Sequence, residues 1–234
     1  MAAFVASTGA DLVALQEVPL ASIEGMAVDL PALFGALTGL DYRYGAVSHA
    51  PLAEPDGRVV GAYLWGNVIL SRLPIASTIN RALPVTPNDD PTDPIDDEPR
   101  SALACAIDTP NQPVTFVSTH LAYLGLRARL PQAGRLAELA VQTEGPLILA
   151  GDLNAPIESE DLAPLRAVLD DGFAAVGVQV GDAARESCGT ERIDHVLTRG
   201  VEVLDCRVAR EAGDASDHWP VIARLRLSGG AGPS

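Results

Sequence analysis

Short apolar runs that stop abruptly at charged or amide residues recur along this 234-residue chain. The run "LILAG" ends in Asp152, Leu153 and Asn154, "LVALQ" ends in Glu17, and "VTFVST" ends in His120. Asp194 and His195 follow "RI", and Asp217 and His218 precede "WPVIARLRL". A charge at the end of a buried run is costly unless something there requires it. Strands with polar ends therefore constrain the fold. The runs form the core, and their ends present reactive groups at its rim, where a rigid scaffold carries them.

Apolar runs at 11–18, 62–72, 74–83, 100–108, 113–121, 146–154, 192–199, 201–210 and 219–227 predict strands. Residues 1–9 read as the end of a helix, 26–39 has helical spacing despite its Pro, and 126–143 predicts a helix. The region 158–190 reads as helix or loop, and 84–99, rich in Pro and Asp, reads as a solvated loop. Many strands with few interposed helices suggest two sheets packed face to face with helices outside. With no internal repeat and no linker, residues 1–228 are expected to form one domain and 229–234 a flexible tail.

Hydrophobic content of 47% argues for a globular chain. No apolar run approaches the ~20 residues of a membrane helix, and the N-terminus lacks the basic start of a signal peptide. Three cysteines without metal spacing point to a reducing, cytoplasmic compartment. The net charge of -15 disfavours a polyanionic partner. Every basic residue is Arg, which leaves phosphate contacts to Arg, His and backbone.

If the strand ends meet, they assemble several carboxylates, an amide and at least two imidazoles. Crowded carboxylates need a cation or shared protons. Oxygen ligands without thiolates favour a hard ion, Mg2+ or Mn2+. A cation beside an imidazole and an Asn suits a reaction that builds negative charge on phosphorus-bound oxygens. The chemistry indicated is metal-assisted hydrolysis. Asp152 and Asn154, two residues apart, are expected on one side of an extended chain. His195, next to Asp194, is expected to face the other way in a structural role.

The pieces "LQEV", "GNVILSR", "PRSAL", "STHL", "GDLN", "RIDHVL" and "SDHWPV" occur in that order between residues 11 and 222. In this the chain resembles the endonuclease/exonuclease/phosphatase superfamily, the fold group of deoxyribonuclease I. The resemblance implies a four-layered α/β sandwich, two packed mixed sheets flanked by helices, with the site at one end of the sheets. It implies Glu17 as the main metal ligand and Asp217 as a metal or water ligand. Asp152 would activate water, Asn154 would bind the phosphate or transition state, and His218 would contact the phosphate while Asp194 holds it charged. His120 would be a second phosphate contact, with Arg100 and Asn67 in support.

Members of the superfamily usually begin with a strand carrying a Thr-x-Asn motif. Only about ten residues precede Asp11, too few for that strand and the helix after it, so the first strand is expected to be missing. The implied activity is divalent-metal-dependent hydrolysis of a phosphoester, a phosphodiester or phosphomonoester on a small or lipid substrate. The alternatives are a metal-dependent endonuclease or exonuclease, disfavoured by the net charge, and a non-catalytic binding module of the same fold.

Overall fold

A computed structural model describes residues 1–227; the tail expected at 229–234 lies outside them. Helix α1 (Ala2–Thr8) leads into β1 (Leu12–Ile23) and β2 (Met26–Asp29). Helix α2 (Leu30–Thr38), β3 (Asp41–Ala53) and β4 (Val59–Ser71) follow. The four strands form an antiparallel sheet in the order β2-β1-β4-β3. Next come β5 (Ile75–Ala82), β6 (Ser101–Ile107), β7 (Val114–His120), α3 (Leu126–Gln142), β8 (Leu147–Asp152), β9 (Asp170–Asp171) and β10 (Asp194–Arg199). They build a six-stranded sheet in the order β5-β6-β7-β8-β10-β9, in which β7 and β8 run parallel and the other pairs antiparallel. A two-stranded ribbon of β11 (Val201–Val208) and β12 (Val221–Leu227) closes the chain.

Side-chain alternation along the strands produces the layers. In β6, Leu103, Cys105 and Ile107 point to an inner cluster shared with Ile69, Phe116 and Ile148. The alternate residues Ala102 and Ala104 face α3, against Ala133, Leu136 and Ala140. In β4, Ile69 faces inward while Val68 and Leu70 face Val5 of α1 and Phe34 of α2. The order is thus helices, sheet, sheet, helix, the expected four-layered α/β sandwich. Each fully buried Leu or Ile contributes about 1.5–3 kcal/mol.

Two local departures from expectation have simple causes. The helix expected over 26–39 starts only at Leu30, because Asp29 caps it by accepting from the Ala32 N–H at 2.9 Å and Pro31 follows in the first turn. Residues 26–29 are instead β2, and β3, unmarked by any apolar run, pairs along β4. Within α3, Pro131 has no N–H for the Arg127 carbonyl. The Thr86 hydroxyl donates to that carbonyl at 3.2 Å, which ties the 84–99 segment to the helix.

From Leu12 to Leu15, β1 pairs with β4 alone, and β12 pairs with β11 alone. Leu12, Ala14, Val221 and Ala223 nonetheless pack on the same inner cluster of the six-stranded sheet. Among the described residues no strand joins these two edges. The layer expected to lack its central strand is split there into four strands and two.

Candidate active site

Sheet register brings the central polar residues together. Asp152 lies opposite His120 on parallel β7 and opposite Asp194 on antiparallel β10. Three neighbouring strands therefore carry an imidazole and two carboxylates in one row at the same sheet end. Like charges directly opposite each other are destabilising. Asp152 is buried there, and burial followed by the Asp194 charge pushes its carboxyl up to about 7. Gly151 belongs to the same motif for a packing reason: a Cβ there would come within 1.9 Å of the Thr119 carbonyl oxygen on β7.

Asn154 reaches the site by a different route from the one expected. Its backbone is left-handed, with φ 51°, and the Asp152 Oδ1 accepts its N–H at 2.8 Å. A tight turn beyond the strand end, not strand alternation, places its side chain. The Asn154 amide donates to the Leu121 carbonyl at 2.9 Å and lies 2.9 Å from His120 Nε2, so it braces the end of β7.

His120 is buried between Arg100 and this amide. Arg100 Nη1 lies 3.1 Å from its Nδ1. A guanidinium can only donate, so Nδ1 accepts from it; the Asn154 amide nitrogen, also a donor group, faces the other ring nitrogen, Nε2. That nitrogen lies 3.6 Å from Asp152 Oδ2. Burial, then the Arg100 charge, holds the ring's pKa down at about 3, so it is neutral. Arg100 itself is clamped by Asp96 at 2.7 Å and Glu98 at 3.0 Å. Asp96 also accepts from the Tyr123 N–H at 2.8 Å. The acidic segment 84–99 is therefore not a free solvated insertion: Asp96 turns inward and Ile95 is buried beside Ala122 and Ala128.

Glu17 stands on a bulge. The β1–β4 register shifts between Leu15 and Val18, and Glu17 takes φ 58°, a conformation costing about 1–3 kcal/mol in a non-glycine residue. The Gln16 amide donates to the Ser118 hydroxyl at 3.1 Å and pins the bulge to β7. The result turns an exposed Glu17 carboxylate to 3.8 Å from His120 Nδ1. Asn67, buried on β4, donates to the Ser101 carbonyl at 3.0 Å and ties the two sheets together behind the site. Glu17, Asn67, Arg100, His120 and Trp65 line one small cleft.

His218 comes from the loop before β12, and its Nδ1 lies 2.8 Å from Asp194 Oδ2. That hydrogen bond, outweighing the opposing effect of burial, raises the imidazole to about 9 and keeps it charged. Asp217 is exposed beside it. Ser187, which carries no signal in the sequence, organises both partners. Its hydroxyl accepts from the Asp194 N–H at 3.1 Å and its carbonyl from the Trp219 N–H at 2.7 Å. Trp219 then stacks under Arg210, 4.3 Å from its guanidinium carbon. His195 faces away from the site, buried, with Nε2 2.9 Å from the Ala155 carbonyl.

The donor set suits a hard divalent ion. Asp152, Asp194 and His218 each offer a ligand atom within 4.8 Å of one another. Glu17 and Asp217, the expected ligands, lie outside that group. They share its field all the same: Glu17 raises Asp152, and burial followed by Asp217 and Glu98 raises Glu17 against the lowering by Arg100. Uncompensated carboxylates of this kind fit a cation with oxygen ligands.

A family model described as Endonuclease/Exonuclease/phosphatase family matches residues 1–218. The chain is similar to UPF0294 protein of Erwinia tasmaniensis, at 30% identity over 129 residues, 54% of this chain and 47% of that protein. It thus spans about half the length of that curated relative. It is similar to the crystal structure of an endonuclease/exonuclease/phosphatase from Beutenbergia cavernae, with TM-score 0.73 and 25% identity over 97% of this chain and 65% of that one. Its fold is also that of a mannosyl-6-phosphatase from Bacteroides thetaiotaomicron, with TM-score 0.62 and 20% identity over 97% of this chain and 89% of that one. Among the described residues no helix is long and apolar enough to cross a membrane.

Proposed function

The chain belongs to the endonuclease/exonuclease/phosphatase family, and from that premise we propose that it is a divalent-metal-dependent hydrolase of phosphoester bonds. The substrate class we favour is a small or lipid phosphodiester or phosphomonoester, because a chain of net charge -15 repels long polyanions. The observation that carries the reading is the row of His120, Asp152 and Asp194 across three neighbouring strands at one sheet end, with His218 held on Asp194.

Asp152 takes a proton from the water that attacks phosphorus. His218, charged, donates from Nε2 to a phosphoryl oxygen as negative charge builds there. Asp194 positions that ring and sustains its charge. His120, beside Asp152 at the end of β7, is the second phosphate contact. Arg100 and Asn154 fix the His120 ring, and Asn67 holds the sheets in register behind it. Glu17 and Asp217 would hold Mg2+ or Mn2+. When bound, such an ion supplies positive charge to the phosphoryl oxygens and relieves the crowding of the acids. The three free thiols suit a reducing, cytoplasmic compartment.

The test is hydrolysis of bis-p-nitrophenyl phosphate and p-nitrophenyl phosphate with Mg2+, with Mn2+ and with EDTA. Metal-dependent turnover that disappears in Asp152→Ala and His218→Ala is expected. No turnover from folded, metal-loaded protein on either ester, nor on a panel of lipid and sugar phosphates, would sink the proposal.

A further inference from the structure

Strand β4 continues past the end of the six-stranded sheet, and its alternation carries one row of residues out over the site. Ile69 is fully buried in the inner cluster, and Asn67 touches Ser101 at the edge of the opposing sheet. The next two positions on that face are Trp65 and Tyr63. Trp65 lines the cleft with Glu17, Arg100 and His120. The Tyr63 ring centroid lies 5.8 Å from that of Trp65, with the planes 35° apart.

Neither ring belongs to any of the buried apolar clusters of the described residues. Both are only half-buried. Their register partners are small: Pro19 and Ser48 beside Trp65, Ala21 and Ala50 beside Tyr63. Two adjacent aromatic side chains, outside the buried clusters and beside Glu17, Arg100 and His120, make a surface for a flat partner.

We infer that Trp65 and Tyr63 form a ring-stacking subsite, and that the substrate is a phosphoester bearing a flat aromatic ring, a nucleobase or an aryl group, on one side of phosphorus. The inference rests on the proposed phosphoester chemistry and narrows it away from simple sugar or alkyl-chain esters. The reacting phosphate lies over Asp152 and His218, and the ring extends along β4 across Trp65.

The chain contains two tryptophans, so Trp219→Phe leaves Trp65 as the single indole. Fluorescence titration of that variant in Mg2+ with AMP, ribose 5-phosphate, phenyl phosphate and glycerol phosphate reads the subsite without turnover. AMP is expected to quench Trp65 and to bind about 10-fold or more tightly than ribose 5-phosphate, in line with base–aromatic stacking. Equally tight phenyl phosphate assigns the site to any aryl ring, and weak phenyl phosphate assigns it to nucleobases. Isothermal titration of Trp65→Ala should abolish the preference for AMP and leave ribose 5-phosphate binding unchanged, while Trp65→Phe retains the preference. Equal binding of AMP and ribose 5-phosphate overturns the inference, as does a Trp65→Ala that weakens both alike. Turnover of p-nitrophenyl esters without ring preference defeats the subsite alone. Ring preference without turnover defeats the catalytic reading alone.

Discussion

His218 Nδ1 and Asp194 Oδ2 lie 2.8 Å apart although 24 residues separate them in the chain. The pair keeps a half-buried imidazole charged to about pH 9. Replacing Asp194 by Asn removes the acceptor's charge and leaves its shape. We expect Asp194→Asn to lower kcat by about 10–100-fold. The His218 ring should then titrate close to its ordinary pKa of about 6.5. Histidine NMR across pH 5–10 checks this. An unshifted titration would show that the carboxylate does not sustain the charge.

Asp152 faces Asp194 across the β8–β10 ladder and is held at about 7 by burial and that charge. A carboxyl whose folded pKa is raised favours the fold below its unfolded pKa of about 4 and weakens it as pH rises through 7. Asp152→Asn should therefore raise stability at pH 8 by about 1–2 kcal/mol. Activity should fall by about 10²–10⁴-fold. Urea unfolding beside an ester-hydrolysis assay tests both. Loss of stability together with activity would mean that Asp152 is a structural residue.

His195 is fully buried, and burial holds its pKa well below the ordinary value. His120 is held at about 3 by burial and Arg100. For both, the neutral form belongs to the folded state, so their contribution is present above the unfolded pKa of about 6.5 and is lost as pH falls below it. The melting temperature should drop between pH 6.5 and 4.5, and His195→Gln should flatten part of that drop. A slope unchanged in His195→Gln would contradict the assignment.

Arg192 is buried against the ring of Phe173, 4.8 Å from its centroid, and pairs with Asp171. Arg185, also buried, lies 5.9 Å from the same ring and joins Glu158 at 2.9 Å. Breaking one partner of a buried pair strands the other charge. Asp171→Ala should cost about 3–5 kcal/mol in urea unfolding. An effect below 1 kcal/mol, the range of exposed pairs, would mean that water reaches this cluster.

Much of the architecture was legible in the sequence because each sheet is buried on one or both faces. The run "SALACAI" is apolar throughout since β6 packs on the inner cluster and on α3 at once. β3 carries no apolar run to read, because "DYRYGAVSHAPLA" is held by pairing to β4. The start of α2 differs from the expected one because the spacing of 26–29 suits a helix, whereas pairing to β1 decides those residues.

The sequence by itself determined which chemical groups this protein has and the strand ends that carry them, since the apolar pattern dictates which segments become buried strands. Only the tertiary structure decided how those groups meet. Register sets Asp152 between His120 and Asp194. The bulge turns Glu17 toward His120. The left-handed Asn154 braces β7, and Ser187 joins the Asp194 strand to the loop of His218. These relationships arise from contacts between residues distant in the chain, and a local pattern holds no record of which distant backbone will lie beside it.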